Sequence, residues 1–288
     1  MFGVRLGVVV GNTSISGGSP LLLDLYPSAA AAYSVRKLRT AYSGSAIRVR
    51  RTDLTEQNIG FDATGNLDTT ALLSFVGTGA LDNGFVTTWY DQSGNGNNAV
   101  QSTAANQPQI VSSGVVNTQA GLSSGKPCLS FDGSNDFFDL TSLVTTTNYT
   151  AFVAAKRLNS GLSGQWLTQK ATSTGTRPYA AILYGGTGSA YMSTYNSTTQ
   201  ISASTSSTAY ILLTSRWGST QSIYINNSAL TTSSGYDGNS GTGFDVIGRR
   251  TAGEYSNVNN TEIVLYASDK LSDVTGISNN INTFYSIY

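Results

Sequence analysis

The chain has 288 residues, with 16 basic and 16 acidic side chains, no histidine, one cysteine and a formal charge of zero. Lack of histidine excludes Ser-His-Asp and Cys-His nucleophile pairs and His-ligated metals, a lone cysteine closes no intrachain disulfide, and neutrality argues against nucleic acid as a partner. Charged residues are scarce at 11% and Ser plus Thr supply roughly a quarter of the chain, yet 39% apolar and 10% aromatic content excludes a disordered polar tract.

Phe2 to Val10 reads as an apolar strand, followed by a flexible Gly/Ser linker from Gly11 to Ser19 and a second apolar segment from Leu21 to Tyr26. The uninterrupted run Leu6 to Val10 is shorter than the roughly 7–15 residues of a signal-peptide core. The expectation is therefore no signal peptide, and a product that stays on the side where it was made unless a particle or a dedicated secretion system carries it out. No run approaches the ~18 apolar residues of a membrane span, so no membrane insertion is expected. Residues 1–27 are read as an assembly arm, in which Phe2, Val4, Leu6, Val8, Leu21, Leu23 and Leu25 pair with the sheet edge of a neighbouring chain. An ordinary first strand of the main sheet is the other reading of Phe2 to Val10.

Residues 28–288 read as one domain. Ser28 before AAAAYSVRKLRTAY, with basic residues late in the stretch and Gly44 beyond it, predicts a helix. A second short helix is predicted over Asp68 to Phe75, with Asp68 as cap and Gly77 as stop. The runs AIRVRR, GFVTTWY, KPCLSF, YTAFVAAKR, YAAILY, AYILLTSRW, QSIYIN, FDVIG and TEIVLYA are rich in β-branched and aromatic residues and are bounded by turn formers, so they read as strands. Arg48 and Arg50, alternating with Ile47 and Val49, read as the solvent face of one of them. Ser202 to Ala209 and Thr231 to Gly243 are low-complexity stretches expected in exposed loops. Ile277, Ile281, Phe284 and Tyr285 fall at helical spacing in a terminal helix. Many short strands with helices only as decoration predict an all-β jelly-roll sandwich.

Asp91, Ser93 and Asn95 space oxygen side chains as the first half of a calcium loop does, but Ser102 stands where the loop needs its last acid, so a turn capped by Asp and Asn competes with calcium. No other cofactor is indicated. A glycosidase needs two opposed carboxyl groups, and Asp91, Asp132, Asp136, Asp245 and Glu262 are the candidates near strand ends. Turn formation explains Asp132 and Asp136 equally, and a hydrogen bond to neighbouring backbone explains Glu262. A sugar platform needs aromatic faces beside fixed polar groups, for which Trp89, Tyr90, Trp166, Tyr179, Tyr184, Tyr191 and Tyr195 are candidates, although most aromatics in sheets serve the core. Cys128, in an apolar strand, is expected to be a buried inert thiol.

KPCLSFDGSNDFFDL, YTAFVAAKR, YILLTSRWGSTQSIYINN, FDVIGRR and the segment from Thr261 to Tyr288 resemble, in order, the concanavalin A-like lectin and glucanase superfamily of laminin-G type. Upstream, AYSVRKLRTAYSGSAIRVRR, LDTTALLSFVG and VTTWYDQSGNGNNAVQ resemble the amino-terminal sandwich of the arabinofuranosidase B family. That resemblance implies the sandwich fold. It does not extend to the family's nucleophilic Glu in its acidic segment or to its vicinal cysteines, since this chain has only Glu56, Glu254 and Glu262 and a single cysteine. The combined cassette also resembles tailed-bacteriophage proteins. The expectation is thus a non-enzymatic virion structural protein, a capsid decoration or a tail or fibre component, with a lectin-like domain for host surface glycans. Its partners would be other virion proteins and further copies of itself. A glycoside hydrolase acting on arabinose-containing polysaccharide is the alternative, and a host surface adhesin is a third.

Overall fold

Each run between Ala46 and Ala267 read as a strand forms one in the computed structural model, which describes residues 20–119, 124–146, 148–158, 164–168, 179–183, 189–191, 202–204, 209–234, 242–249 and 253–288. The strands are β1 (Ala31–Ser34), β2 (Ile47–Arg51), β3 (Glu56–Ile59), β4 (Gly84–Trp89), β5 (Ala99–Val100), β6 (Gln109–Ser112), β7 (Val115–Val116), β8 (Leu129–Asp132), β9 (Phe138–Thr146) and β10 (Tyr149–Arg157). Beyond these come β11 (Gly164–Thr168), β12 (Tyr179–Leu183), β13 (Ser189–Tyr191), β14 (Ser202–Ser204), β15 (Tyr210–Trp217), β16 (Thr220–Ile225), β17 (Ser228–Ser234), β18 (Thr242–Ile247) and β19 (Asn257–Tyr266).

All described pairings are antiparallel, and β4 is the branch point. One run continues through β5, β9, β18, β11, β12, β13 and β14. The other continues through β6, β8, β19, β10, β15, β16 and β17. The two runs close on each other as a sandwich. Tyr149 of β10 meets Phe244 of β18 edge to face at 5.1 Å, and Phe131 of β8 meets Phe138 of β9 at 5.8 Å. Aromatic pairs of this geometry fill the space between layers. The all-β sandwich expected from the strand pattern is the observed fold.

Three short α-helices among the described residues decorate it. Helix α1 is Leu22–Leu25, α2 is Thr69–Val76 and α3 is Val274–Tyr285. The Asp68 carboxylate accepts from the Ala71 amide at 2.9 Å, and Gly77, at φ 103°, ends α2 where an L side chain would be strained. Helix α3 buries Ile277, Ile281 and Tyr285 along one stripe, as their spacing predicts. Among the described residues no helix is long and apolar enough to cross a membrane.

Four expectations are corrected. The alanine-rich stretch is not a helix: Ser28 adopts φ 69°, and β1 pairs Ala31 to Ser34 with Leu265 to Glu262 of β19. Helix propensities differ by only about 0.5 kcal/mol per residue among ordinary residues. Burial of all four β1 side chains, with a complete backbone ladder, outweighs that preference. The segment from Leu21 belongs to this chain's own core, because Leu22 and Leu23 are buried, the Leu23 amide donates to Leu38 O, and the Tyr266 hydroxyl donates to Tyr26 O. Leu25 remains exposed, while Phe2, Val4, Leu6 and Val8 lie outside the described residues. The low-complexity stretches contribute β14 and parts of β17 and β18, since sheet hydrogen bonds are made by backbone whatever the side chain. Arg50 is buried rather than on a solvent face, with Nε donating to Gln107 Oε1 at 2.6 Å and the guanidinium 4.7 Å from the Phe85 ring centroid. Cys128 is buried as expected, and burial pushes its thiol up to about 12.

Candidate functional site

Register across five strands builds one row of side chains. Asn58 of β3 lies opposite Arg48 of β2, Arg48 opposite Thr88 of β4, Thr88 opposite Val100 of β5, and Val100 opposite Asp139 of β9. Directly opposed residues share a face of the sheet, and Arg48, Thr88, Val100 and Asp139 of this row line one cleft. That cleft encloses about 470 Å³ and is lined also by Glu56, Tyr90, Gln101 and Ser102. Arg48 Nε donates to Glu56 Oε2, the Tyr90 hydroxyl donates to Asn58 Oδ1 at 2.9 Å, and Arg249 pairs with Asp139 at 3.6 Å. The result is an open groove lined by charged, hydroxyl and amide side chains, one valine and one tyrosine. Such a surface suits a ligand rich in hydroxyl groups.

The groove is poorly arranged for glycoside hydrolysis. Its two carboxylates, Glu56 and Asp139, stand on β3 and β9, which are four strand spacings apart. That is on the order of 15–20 Å between backbones, against at most about 9.5 Å between working carboxyl groups. Each is also paired with an arginine.

Of the other aromatic candidates, Trp89 is fully buried, with its ring 5.8 Å from that of Tyr33, and is closed to a ligand. Trp166, Tyr179 and Tyr191 contribute backbone to β11, β12 and β13, and Tyr184 and Tyr195 lie outside the described residues. The Asp91 loop is a clamp. Asp91 Oδ1 accepts from the amides of Ala32 and Ser93, each at 2.8 Å, while Oδ2 accepts from Ser93 Oγ at 2.7 Å and the Asn97 amide at 3.0 Å. Asn95 donates to the carbonyls of Ala29 and Ala30. Both carboxylate oxygens are committed to the chain, and no group of three potential acidic, His or Cys ligands occurs among the described residues. Gln92, which sequence reasoning passed over, is fully buried in the same loop, accepting from the Leu38 amide and donating to the carbonyls of Ser34 and Arg36.

Glu262 is not a simple backbone acceptor. It is fully buried in a bidentate pair with Arg36, at 2.7 Å from Nε to Oε2 and 2.9 Å from Nη2 to Oε1, and Ser34 Oγ donates to it at 2.8 Å. The Tyr285 hydroxyl lies 3.2 Å away and is held protonated far above its ordinary range by burial and by that carboxylate. Asp245 sits half-buried in β18.

Asp132 and Asp136 border a second cleft of about 300 Å³, together with Phe85, Gln107, Gln109 and Ser130. Asp132 Oδ1 accepts from the amides of Ser134 and Asn135, a turn role, and Asp136 Oδ2 accepts from the Asp132 amide. Burial first, and the neighbouring Asp132 second, push Asp136 up to about 7. The unfolded chain releases this proton near pH 4, so between roughly pH 4 and 7 the folded state binds more protons and stability falls as pH rises. Asp136→Asn is expected to abolish that slope and to stabilise the protein at pH 8 by on the order of 2–4 kcal/mol, with no gain at pH 4. Urea midpoints at the two pH values check this; an equal gain at both would remove Asp136 as the titrating group.

No family model matches the chain, and no curated protein matches it. Among solved structures, a GH54 α-L-arabinofuranosidase soaked with a cyclic sulfate inhibitor superposes with a TM-score of 0.69 at 18% identity. An arabinofuranosidase complexed with arabinofuranosyl-α-1,2-xylobiose superposes with a TM-score of 0.67, also at 18% identity. The chain has the sandwich fold of the arabinofuranosidases. In both matches 92% of this chain is covered, and it spans 64% of the length of the other. The resemblance drawn from YDQSGNGN and its flanking segments is therefore shown as a likeness of fold. At this identity it carries no chemistry across.

Proposed function

We propose that the protein is a non-enzymatic, glycan-binding structural module of a bacteriophage virion, a capsid decoration or a tail or fibre component made in the host cytoplasm, and that the groove over Arg48, Thr88, Tyr90 and Asp139 is where host surface glycans dock. The observation that carries the binding part is the open cleft over the register row, lined by two ion-paired carboxylates, the hydroxyls of Thr88 and Ser102, and one tyrosine. The virion part is supported by the apolar Phe2 to Val10 segment followed by a Gly/Ser linker, a composition suited to pairing with other virion proteins or further copies. A glycan array probed with the whole chain, followed by titration of the best oligosaccharide, tests the groove. Tyr90→Ala is expected to weaken that binding about tenfold, the loss of an aromatic contact worth roughly 1.4 kcal/mol. Binding unchanged in both Tyr90→Ala and Arg48→Ala would move the site elsewhere. Mass spectrometry of purified particles tests the virion assignment, which absence of the chain would end.

The second reading is a hydrolase acting on arabinose-containing polysaccharide. It is favoured by the shared arabinofuranosidase fold and by a proton held on Asp136 beside Asp132. Release of arabinose by the protein, lost in Asp136→Asn, would establish it over the binding reading.

A further inference from the structure

Tyr90 ties the groove to a second cleft. Its amide donates to Ala46 O at 3.0 Å, and its hydroxyl donates to Asn58 Oδ1 at 2.9 Å. Ser45, next to Ala46, and Gly60, two residues beyond Asn58, line a cleft of about 350 Å³ that is also lined by Lys37, Tyr42, Phe61 and Asp62. Two residues of extended chain span about 7 Å, so the two clefts are neighbours. An added Cβ at Gly60 would meet nothing within 4 Å, and the chain thus leaves open space at the join. Ser43, Gly44 and Asp62 on the lining are exposed, so the second cleft opens to solvent.

The walls of this cleft are fixed before any ligand arrives. Tyr42 and Phe61 are both half-buried and meet edge to face at 6.3 Å. The Tyr42 hydroxyl donates to Ser45 O at 2.9 Å, and Phe61 packs against the core. Burial first, then Asp91 and Tyr90, push that hydroxyl up to about 12, which keeps it a neutral donor within electrostatic reach of Tyr90. The two charged groups differ in what they are free to do. Asp62 Oδ1 already accepts from the Thr64 amide and hydroxyl and from the Asn66 amide. The Lys37 ammonium has no hydrogen bond or ion pair among the described residues. In the groove itself every charge is matched, Arg48 by Glu56 and Asp139 by Arg249. The uncommitted charge across the two clefts is therefore positive.

We propose that the groove over Arg48, Thr88 and Tyr90 continues into this cleft, and that its ligand is an acidic oligosaccharide, one unit of which lies against Tyr42 and Phe61 with its carboxylate on Lys37. Aromatic faces beside fixed polar groups suit a sugar ring, and an ammonium with three unused donors suits a carboxylate. A chain of sugar units is required because the clefts lie side by side. The inference rests on the groove reading and adds to it the acidic character and the length of the ligand.

A glycan array probed with the whole chain tests it, with uronate- and sialate-containing oligosaccharides beside neutral ones of the same length. The expected binders are acidic and longer than a disaccharide, and affinity for the best of them should fall as sodium chloride is raised. Lys37→Met strands no partner, so it should leave the Tm unchanged while weakening that oligosaccharide about fivefold, the size of a favourable exposed charge pair. Gly60→Tyr places a ring in the open space at the join and should weaken binding further. Neutral best ligands, or affinity unchanged in Lys37→Met or in Gly60→Tyr, overturn the proposal, and a loss in Tyr90→Ala then leaves the groove reading standing. Binding that survives both Tyr90→Ala and Arg48→Ala, or no binding by the unaltered chain, ends the groove reading and this extension with it.

Discussion

Glu262→Ala is expected to be the most destabilising single change in the described part of the chain, lowering the free energy of unfolding by about 3–5 kcal/mol. The reason lies in what remains. Arg36 is 5% exposed and would keep its charge with no carboxylate beside it, and the Ser34 hydroxyl would lose its acceptor. Arg36→Ala should cost a similar amount by leaving Glu262 unpaired. Replacing both partners by apolar residues of similar volume, Arg36→Met with Glu262→Leu, should recover most of the loss, since well-packed apolar pairs commonly match buried ion pairs. Urea denaturation of the two single variants and the double variant checks this. A loss below about 1 kcal/mol for Glu262→Ala, the size of a surface pair, would mean that the pair does not hold the fold.

The second large effect is expected at Asp91. Its carboxylate receives four hydrogen bonds that tie the loop after β4 to itself and to β1. Asp91→Ala leaves those donors without their acceptor, and a loss of about 3 kcal/mol is expected, allowing some of them to find water. Because the wild-type oxygens already face N–H and O–H groups, millimolar calcium or its chelation should leave the Tm unchanged. A calcium-dependent rise in Tm that disappears in Asp91→Ala would reverse the assignment and make the loop a cation site.

The legible elements were those whose determinants are local. Asp68 and Gly77 lie within a few residues of the helix they delimit, and the spacing of Ile277, Ile281 and Tyr285 is set by one turn geometry. The strands carried their own pattern. The DQSGNGN turn was readable for the same reason, since Asp91 meets Ser93 and Asn97 within six residues. What could not be read was who else it holds: the amide of Ala32 is 59 residues away.

The groove shows the same division. Tyr90 is one of seven aromatic candidates in the sequence, but Arg48, Thr88, Val100 and Asp139 come from four strands and meet only through register. Trp89, its neighbour in sequence, points the other way because side chains alternate along a strand. Composition could not tell which of the two faces outward.

By itself the sequence determined the class of fold, the places where strands turn, two of the three helices among the described residues and the absence of histidine-based chemistry, because each follows from residues close together or from simple counts. Tertiary structure decided that the alanine-rich stretch is a strand and that Arg50 is buried. It also decided that Glu262 belongs to Arg36. In each of these cases a partner distant in the chain supplies or withholds a hydrogen bond or a packed surface, and that difference exceeds the local preference of the residue concerned.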